Sequence, residues 1–152
     1  MSDASDEFRV ASRRAALAPG TPLGVTEDMI RTLVDAFYDK VRVDPELGPI
    51  FARHIPGDWG PHLAKMYDFW SSVTLMTGRY HGTPMAAHAP LPIEAAHFQR
   101  WLALFRQTAT EVCPAPAAAL FVDRAERIAQ SLQLGLDFHH GRLIVDHLYG
   151  RT

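Results

Sequence analysis

Apolar residues recur at helical spacing through four long stretches of the chain, and no segment alternates apolar with polar as a half-buried strand would. That pattern confines the fold to packed helices. Thr26 stands where a helix cap belongs, with Glu27 and Asp28 in the next turn at the positive end of the helix dipole. Ile30, Leu33, Val34, Phe37, Tyr38 and Val41 follow on one face, and the helix is predicted to stop near Asp44, before Pro45 and Gly48-Pro49. From Asp58 a second run puts His62, Met66, Phe69, Trp70 and Val73 on one stripe, ended by Gly78. A third helix, from about Ile93 to Val112, aligns Phe98, Trp101, Phe105, Thr108 and Val112, and Pro114 ends it. The fourth, from about Pro116 to Phe138, turns Leu120, Phe121, Ile128, Leu132 and Leu136 inward.

Between Gly78 and Pro92 the residues Gly82, Pro84, Pro90 and Pro92 leave a loop with at most one helical turn, around Met85 to His88. Loops of this length inside a compact domain usually serve a function. Residues 1–25 are polar, then Ala-rich, then broken by Pro19, Gly20, Pro22 and Gly24, and are expected to form a flexible arm. Residues 26–138 make the domain. Residues 139–152, with Leu143, Ile144, Val145, Leu148 and Tyr149, form a tail or a continuation of the last helix.

A chain of 152 residues fits one domain, and at that size about 70% of the unfolded surface can be buried, enough to wrap a flat prosthetic group. Fifteen Lys and Arg against seventeen Asp and Glu leave no field that would hold a polyphosphate, so nucleic acid is not an expected partner. The lone Cys113 excludes an internal disulfide and fits a reducing compartment. The acidic first residues carry no long apolar block, and no run approaches the roughly 18 residues of a membrane span. A cytoplasmic protein without membrane attachment is expected.

Eight histidines call for an explanation, yet no His-Glu-x-x-His motif occurs and one cysteine cannot build a Cys-rich zinc site. The chain also lacks a Gly-x-Ser-x-Gly elbow and a phosphate-binding Gly loop. What remains is an aromatic interior with isolated histidines. Haem suits such an interior: it needs apolar walls, one neutral imidazole for the iron, and a few donors on the far side. Tyr38, His62 and Trp101 each set a hydrogen-bonding tip within an apolar stripe on a different helix. Plain readings exist for each as well. Tyr38 can be a core tyrosine with its hydroxyl at the surface, Trp101 ordinary packing, His62 an exposed residue after Pro61, and His88 a surface histidine in a Pro-rich loop.

The segment Phe37-Tyr38-x-Lys40-Val41-Arg42-x-Asp44-Pro45-x-Leu47-Gly48-Pro49-Ile50-Phe51 resembles the first helix and corner of the group III truncated haemoglobins of bacteria. Trp59-x-x-His62 with Phe69-Trp70 resembles the distal helix of that family, Tyr80-x-Gly82-x-Pro84-Met85-x-x-His88 its proximal loop, and Phe98-x-x-Trp101-Leu102-x-Leu104-Phe105 the helix after it. The matches keep the family's order across about residues 26–137. The resemblance implies an all-α truncated globin fold, a two-over-two helical sandwich around haem b (iron protoporphyrin IX). It implies that His88 ligates the iron, that Tyr38, His62 and Trp101 line the distal side, and that Phe51 stacks on the haem. Phe37, Met66, Phe69, Met85, Phe98, Phe105 and Ile128 would be further contacts, and Arg79 or Tyr80 would meet a propionate. His97, one turn before Trp101, is read as a helix-start surface residue, and His139, His140 and His147 fall outside the match.

The function implied is binding of O2, and of NO or CO, at a pentacoordinate-type iron with a polar distal pocket. The alternative is a redox enzyme, an NO dioxygenase or peroxidase-like, with His62 shuttling protons and a separate reductase as electron donor. Peroxidases strengthen the proximal imidazole with a carboxylate, whereas His88 is flanked by Ala86, Ala87, Ala89 and Pro90, with Glu94 the nearest acid. A backbone carbonyl is therefore the expected partner of His88, which favours ligand binding. A monomer or weak dimer is expected.

Overall fold

A computed structural model of the chain describes residues 17–82 and 93–139. Those residues form five α-helices: α1 (Glu27–Val43), α2 (Leu47–His54), α3 (Gly60–Leu75), α4 (Ala95–Val112) and α5 (Ala115–His139). Among them there is no strand, and no helix is long and apolar enough to cross a membrane. Thr26 caps α1 as its sequence indicates, its hydroxyl accepting from the Met29 N–H at 3.1 Å. Ile30, Leu33, Val34, Phe37, Tyr38 and Val41 are its buried residues.

The helices pair in two layers. Tyr67 bonds Asp35 and Ser71 bonds Glu27, so α3 runs antiparallel to α1. The tight Cys113-Pro114 link folds α5 back along α4. Phe105 joins the layers, stacked on Trp101 of its own helix at 5.4 Å and on Trp70 of α3 at 5.1 Å. On α5 the buried stripe runs through Ala117, Phe121, Ala125, Ala129 and Leu132, while Leu120 and Ile128 flank it half-buried. Alanine lets α5 approach α4 closely. It also carries too little apolar surface to mark a face in sequence.

Three local features depart from the sequence expectations. The corner after Asp44 is not irregular but holds α2. Pro49 falls in its first turn, where the missing N–H has no intrahelical acceptor. The Asp44 carboxylate caps the turn, accepting from the N–H groups of Glu46 at 3.1 Å and Leu47 at 2.9 Å. Second, α3 starts at Gly60, whose N–H donates to the Asp58 carboxylate, and it stops at Met76, which takes the left-handed conformation (φ 56°) ahead of Gly78.

Third, the end of the expected arm is packed. Ala18, Gly20 and Val25 are buried, and the Gly20 N–H donates to the Thr74 carbonyl at 2.8 Å. A β-carbon at Gly20 would lie 2.7 Å from that oxygen, so the glycine permits the approach rather than breaking the chain.

Candidate functional site

The helix cap at Thr26 and the burial of its apolar face orient α1 so that Tyr38 points into the core. Its ring meets His62 of α3 edge-on at 4.9 Å, Trp59 at 6.0 Å and Phe51 of α2 at 6.2 Å. Burial raises the Tyr38 hydroxyl well above its ordinary range, so it stays protonated. It makes no hydrogen bond to any described residue. A protonated hydroxyl without a described partner is free to donate to a polar guest.

Asp58 and Pro61 set the start of α3 and thereby place His62 in its first turn. The imidazole is half-buried and its Nε2 atom is removed from solvent. Trp59 closes the other side of His62 at 5.5 Å, and the Arg42 guanidinium lies over the Trp59 ring at 4.7 Å. On α3 the residues Trp70, Ser71 and Thr74 are buried, while His62, Met66, Phe69 and Val73 form a neighbouring stripe that is only half-covered. An apolar stripe of this kind, opening beside the Tyr38 hydroxyl, fits a flat apolar group with a polar ligand on one face.

Trp101 stands on α4 and is half-buried. It touches the Tyr38 group through Phe37, whose ring is edge-on to Trp101 at 5.3 Å and to Tyr38 at 5.0 Å. The structure thus puts Tyr38 and His62 in contact and Trp101 one ring away. Phe37 and Phe105 are sealed in the core, 2% and 1% exposed. They pack directly behind Tyr38 and Trp101.

Phe98 also stands apart. It packs with Ile93, Ala129 and Leu132, flanked by Ile50 and Ile128, and borders a groove shared with Arg106 and Asp123. Arg79 is engaged elsewhere, its guanidinium pairing with Glu27 of α1 at 2.5 Å. Tyr80 lies edge-on to Phe69 at 5.1 Å, and its N–H donates to Ser72. Tyr80 is therefore the better placed of the two for a group lying against Phe69. His88 and Met85 lie outside the described residues. His97 is a capping residue, its Nδ1 accepting from the Glu94 N–H at 2.9 Å.

Two participants escaped the sequence reading. Trp59, one turn before His62, had a visible signal in that spacing. Asp44 looked like a helix stop, but its side chain is 2% exposed and grips Arg100 of α4 at 2.7 Å. Burial alone would raise the Asp44 carboxyl. The hydrogen bonds from Arg100, Leu47 and Glu46 outweigh it and hold the group below the usual carboxylate range.

Comparison with known proteins agrees with this geometry. The family described as bacterial-like globin matches residues 22–133. The group 3 truncated hemoglobin ctb of Campylobacter jejuni is 34% identical over 113 residues, covering 72% of this chain and 89% of that protein. The crystal structure of group III truncated hemoglobin from C. jejuni superposes with a TM-score of 0.70, covering 74% of this chain and 91% of that one, at 34% identity. The hemoglobin of the thermophilic phototroph Chloroflexus aurantiacus follows at 26% identity and 0.62, covering 76% and 96%. The group II truncated hemoglobin of Bacillus anthracis is 28% identical with a TM-score of 0.60, covering 79% and 90%.

Proposed function

The chain belongs to the bacterial-like globin family, as a group III truncated haemoglobin and so a haem-binding globin, and on that premise we propose that it binds O2 reversibly in a polar pocket, with NO and CO as further ligands. In this reading haem b is held by His88 as proximal ligand, with Met85 beside it, and by Phe51, Met66, Phe69, Tyr80 and Ile128. Tyr38, His62 and Trp101 form the distal side. The observation that carries the reading is the Tyr38 hydroxyl, buried among aromatic rings and bonded to no described residue.

Bound haem supplies a ferrous iron with an open position for a diatomic ligand. The protein supplies the rest. Tyr38 is kept protonated by burial and donates from its hydroxyl, and the Trp101 indole can only donate. Both favour a ligand that carries partial negative charge. Phe37 and Phe105 hold these two side chains and exclude water, which strengthens each hydrogen bond. The buried Cys113, whose thiol is pushed up to about 11, is inert to disulfide exchange and suits work in a reducing cytoplasm.

The test is O2 dissociation from the haem-loaded protein. A lost donor is worth about 1 kcal/mol, so Tyr38→Phe and Trp101→Phe should each release O2 roughly fivefold faster. Unchanged rates in both variants would overturn the reading. The contact between His62 and Tyr38 favours a second reading, a redox enzyme acting on NO or peroxide with electrons from a separate reductase, because it places a proton-carrying imidazole beside a hydroxyl. Repeated turnover of NO by the oxygenated protein with a reductant present would establish it. Consumption of one equivalent would exclude its NO dioxygenase form.

A further inference from the structure

Asp44 sits at a corner where the three helices α1, α2 and α4 meet through a charged group. Its Oδ2 accepts from the N–H groups of Glu46 and Leu47, and its backbone carbonyl accepts from Gly48 at 2.9 Å, which locks the start of α2. Its Oδ1 accepts from Nε of Arg100 at 2.7 Å, and Nη2 of the same guanidinium lies 2.7 Å from that oxygen as its ion pair. A charge-assisted hydrogen bond of this kind is directional as well as short. The acceptor is almost fully buried, whereas the Arg100 side chain is 44% exposed. Arg100 immediately precedes Trp101.

The other contacts between α1 and α4 near the site are ring contacts: Phe37 with Trp101, and Phe37 with Phe105. Such contacts bury apolar surface and set ring against ring, but they do not fix where the polar tip of either side chain lies. The Lys40–Glu111 pair between the same helices is exposed, and pairs of that kind hold little register. The Asp44–Arg100 pair adds a directional tie with a buried acceptor, next in sequence to Trp101.

Building on the ligand-binding reading above, we propose that Asp44 is a positioning residue for the pocket: by capping α2 while gripping Arg100, it holds the Trp101 indole in register with the Tyr38 hydroxyl. Displacing a donor by a fraction of an ångström weakens a hydrogen bond without removing it. The effect of losing the tie is therefore felt at the indole.

O2 dissociation from the haem-loaded protein, measured by stopped flow, tests this with Asp44→Asn, Arg100→Gln, Trp101→Phe and the Asp44→Asn/Trp101→Phe double variant. Asp44→Asn and Arg100→Gln should each speed release by roughly twofold, less than the fivefold of Trp101→Phe, because the donor is weakened and not lost. Asp44→Asn should add nothing once Trp101 is already Phe. A merely structural role would lower thermal stability and leave that non-additivity absent. If Asp44→Asn does not fold, Arg100→Gln decides the matter alone, because it leaves the Asp44 cap of α2 intact. Wild-type release rates in both single variants, or equal acceleration in both Trp101 backgrounds, would overturn the positioning role. If Trp101→Phe itself leaves release unchanged, the pocket reading fails and takes this inference with it.

Discussion

The His62 imidazole meets the Tyr38 ring edge-on, with centroids 4.9 Å apart and planes at 86°. Neither ring can shift without disturbing the other, and Trp59 wedges both from the α3 side. The two residues should therefore act as a unit on any ligand. In a double-mutant cycle of Tyr38→Phe and His62→Leu, read as O2 dissociation rate, a coupling on the order of 1 kcal/mol is expected. Strict additivity would show that the contact is packing only.

His88→Ala should purify without haem, and added imidazole should restore binding, as expected for a lost iron ligand. His97→Ala should keep its haem. That variant loses the acceptor for the Glu94 N–H, so its cost is a helix cap, about 1 kcal/mol by thermal unfolding. Haem retention by His88→Ala would remove the ligand assignment.

Gly20→Ala should destabilise the fold although residue 20 lies before the first long helix. Its β-carbon would meet the Thr74 carbonyl at 2.7 Å, and backbone cannot yield as a flexible side chain can. A loss of roughly 1–3 kcal/mol in urea unfolding is expected, the range for overpacking. An unchanged midpoint would show that the segment is loosely attached in solution.

Burial pushes the Cys113 thiol from the ordinary 9.0 up to about 11. The folded chain therefore holds that proton more tightly than the unfolded chain. Its stabilising contribution is complete below pH 9 and is lost as pH rises toward 11. Urea midpoints should fall across that window, and fall less in Cys113→Ala. Burial raises the Tyr38 hydroxyl from its ordinary 10.0 as well, so alkaline loss continues above that pH. Near neutrality, iodoacetamide should label Cys113 in urea and spare it in the native protein.

Helix existence was legible because burial of one face imposes a period: the α1 face from Ile30 to Val41 and its cap at Thr26 stand where the sequence places them. Boundaries were less so. Pro49 reads as a stop in sequence, yet in a first turn its missing N–H costs nothing, and only the capping carboxylate of Asp44 reveals α2. Among the site residues, Tyr38 and His62 were legible as polar tips in apolar stripes. Trp59 carried a signal in its one-turn spacing from His62, which it packs against, whereas Asp44 carried none, because nothing local distinguishes an aspartate that reaches an arginine fifty-six residues on.

The sequence by itself determined the helical class, the principal helices and the family, since these depend on periodicity and on ordered local strings. Only the tertiary structure decided how the aromatic residues pack against one another. Phe37, Phe98 and Phe105 occupy the same stripes as Trp101 and Tyr38, but Phe37 and Phe105 are sealed behind them and Phe98 belongs to a second cluster. A stripe specifies which side of a helix is buried. What it is buried against depends on the angle at which helices distant in sequence cross, and the Asp44–Arg100 tie is one of the contacts that sets it.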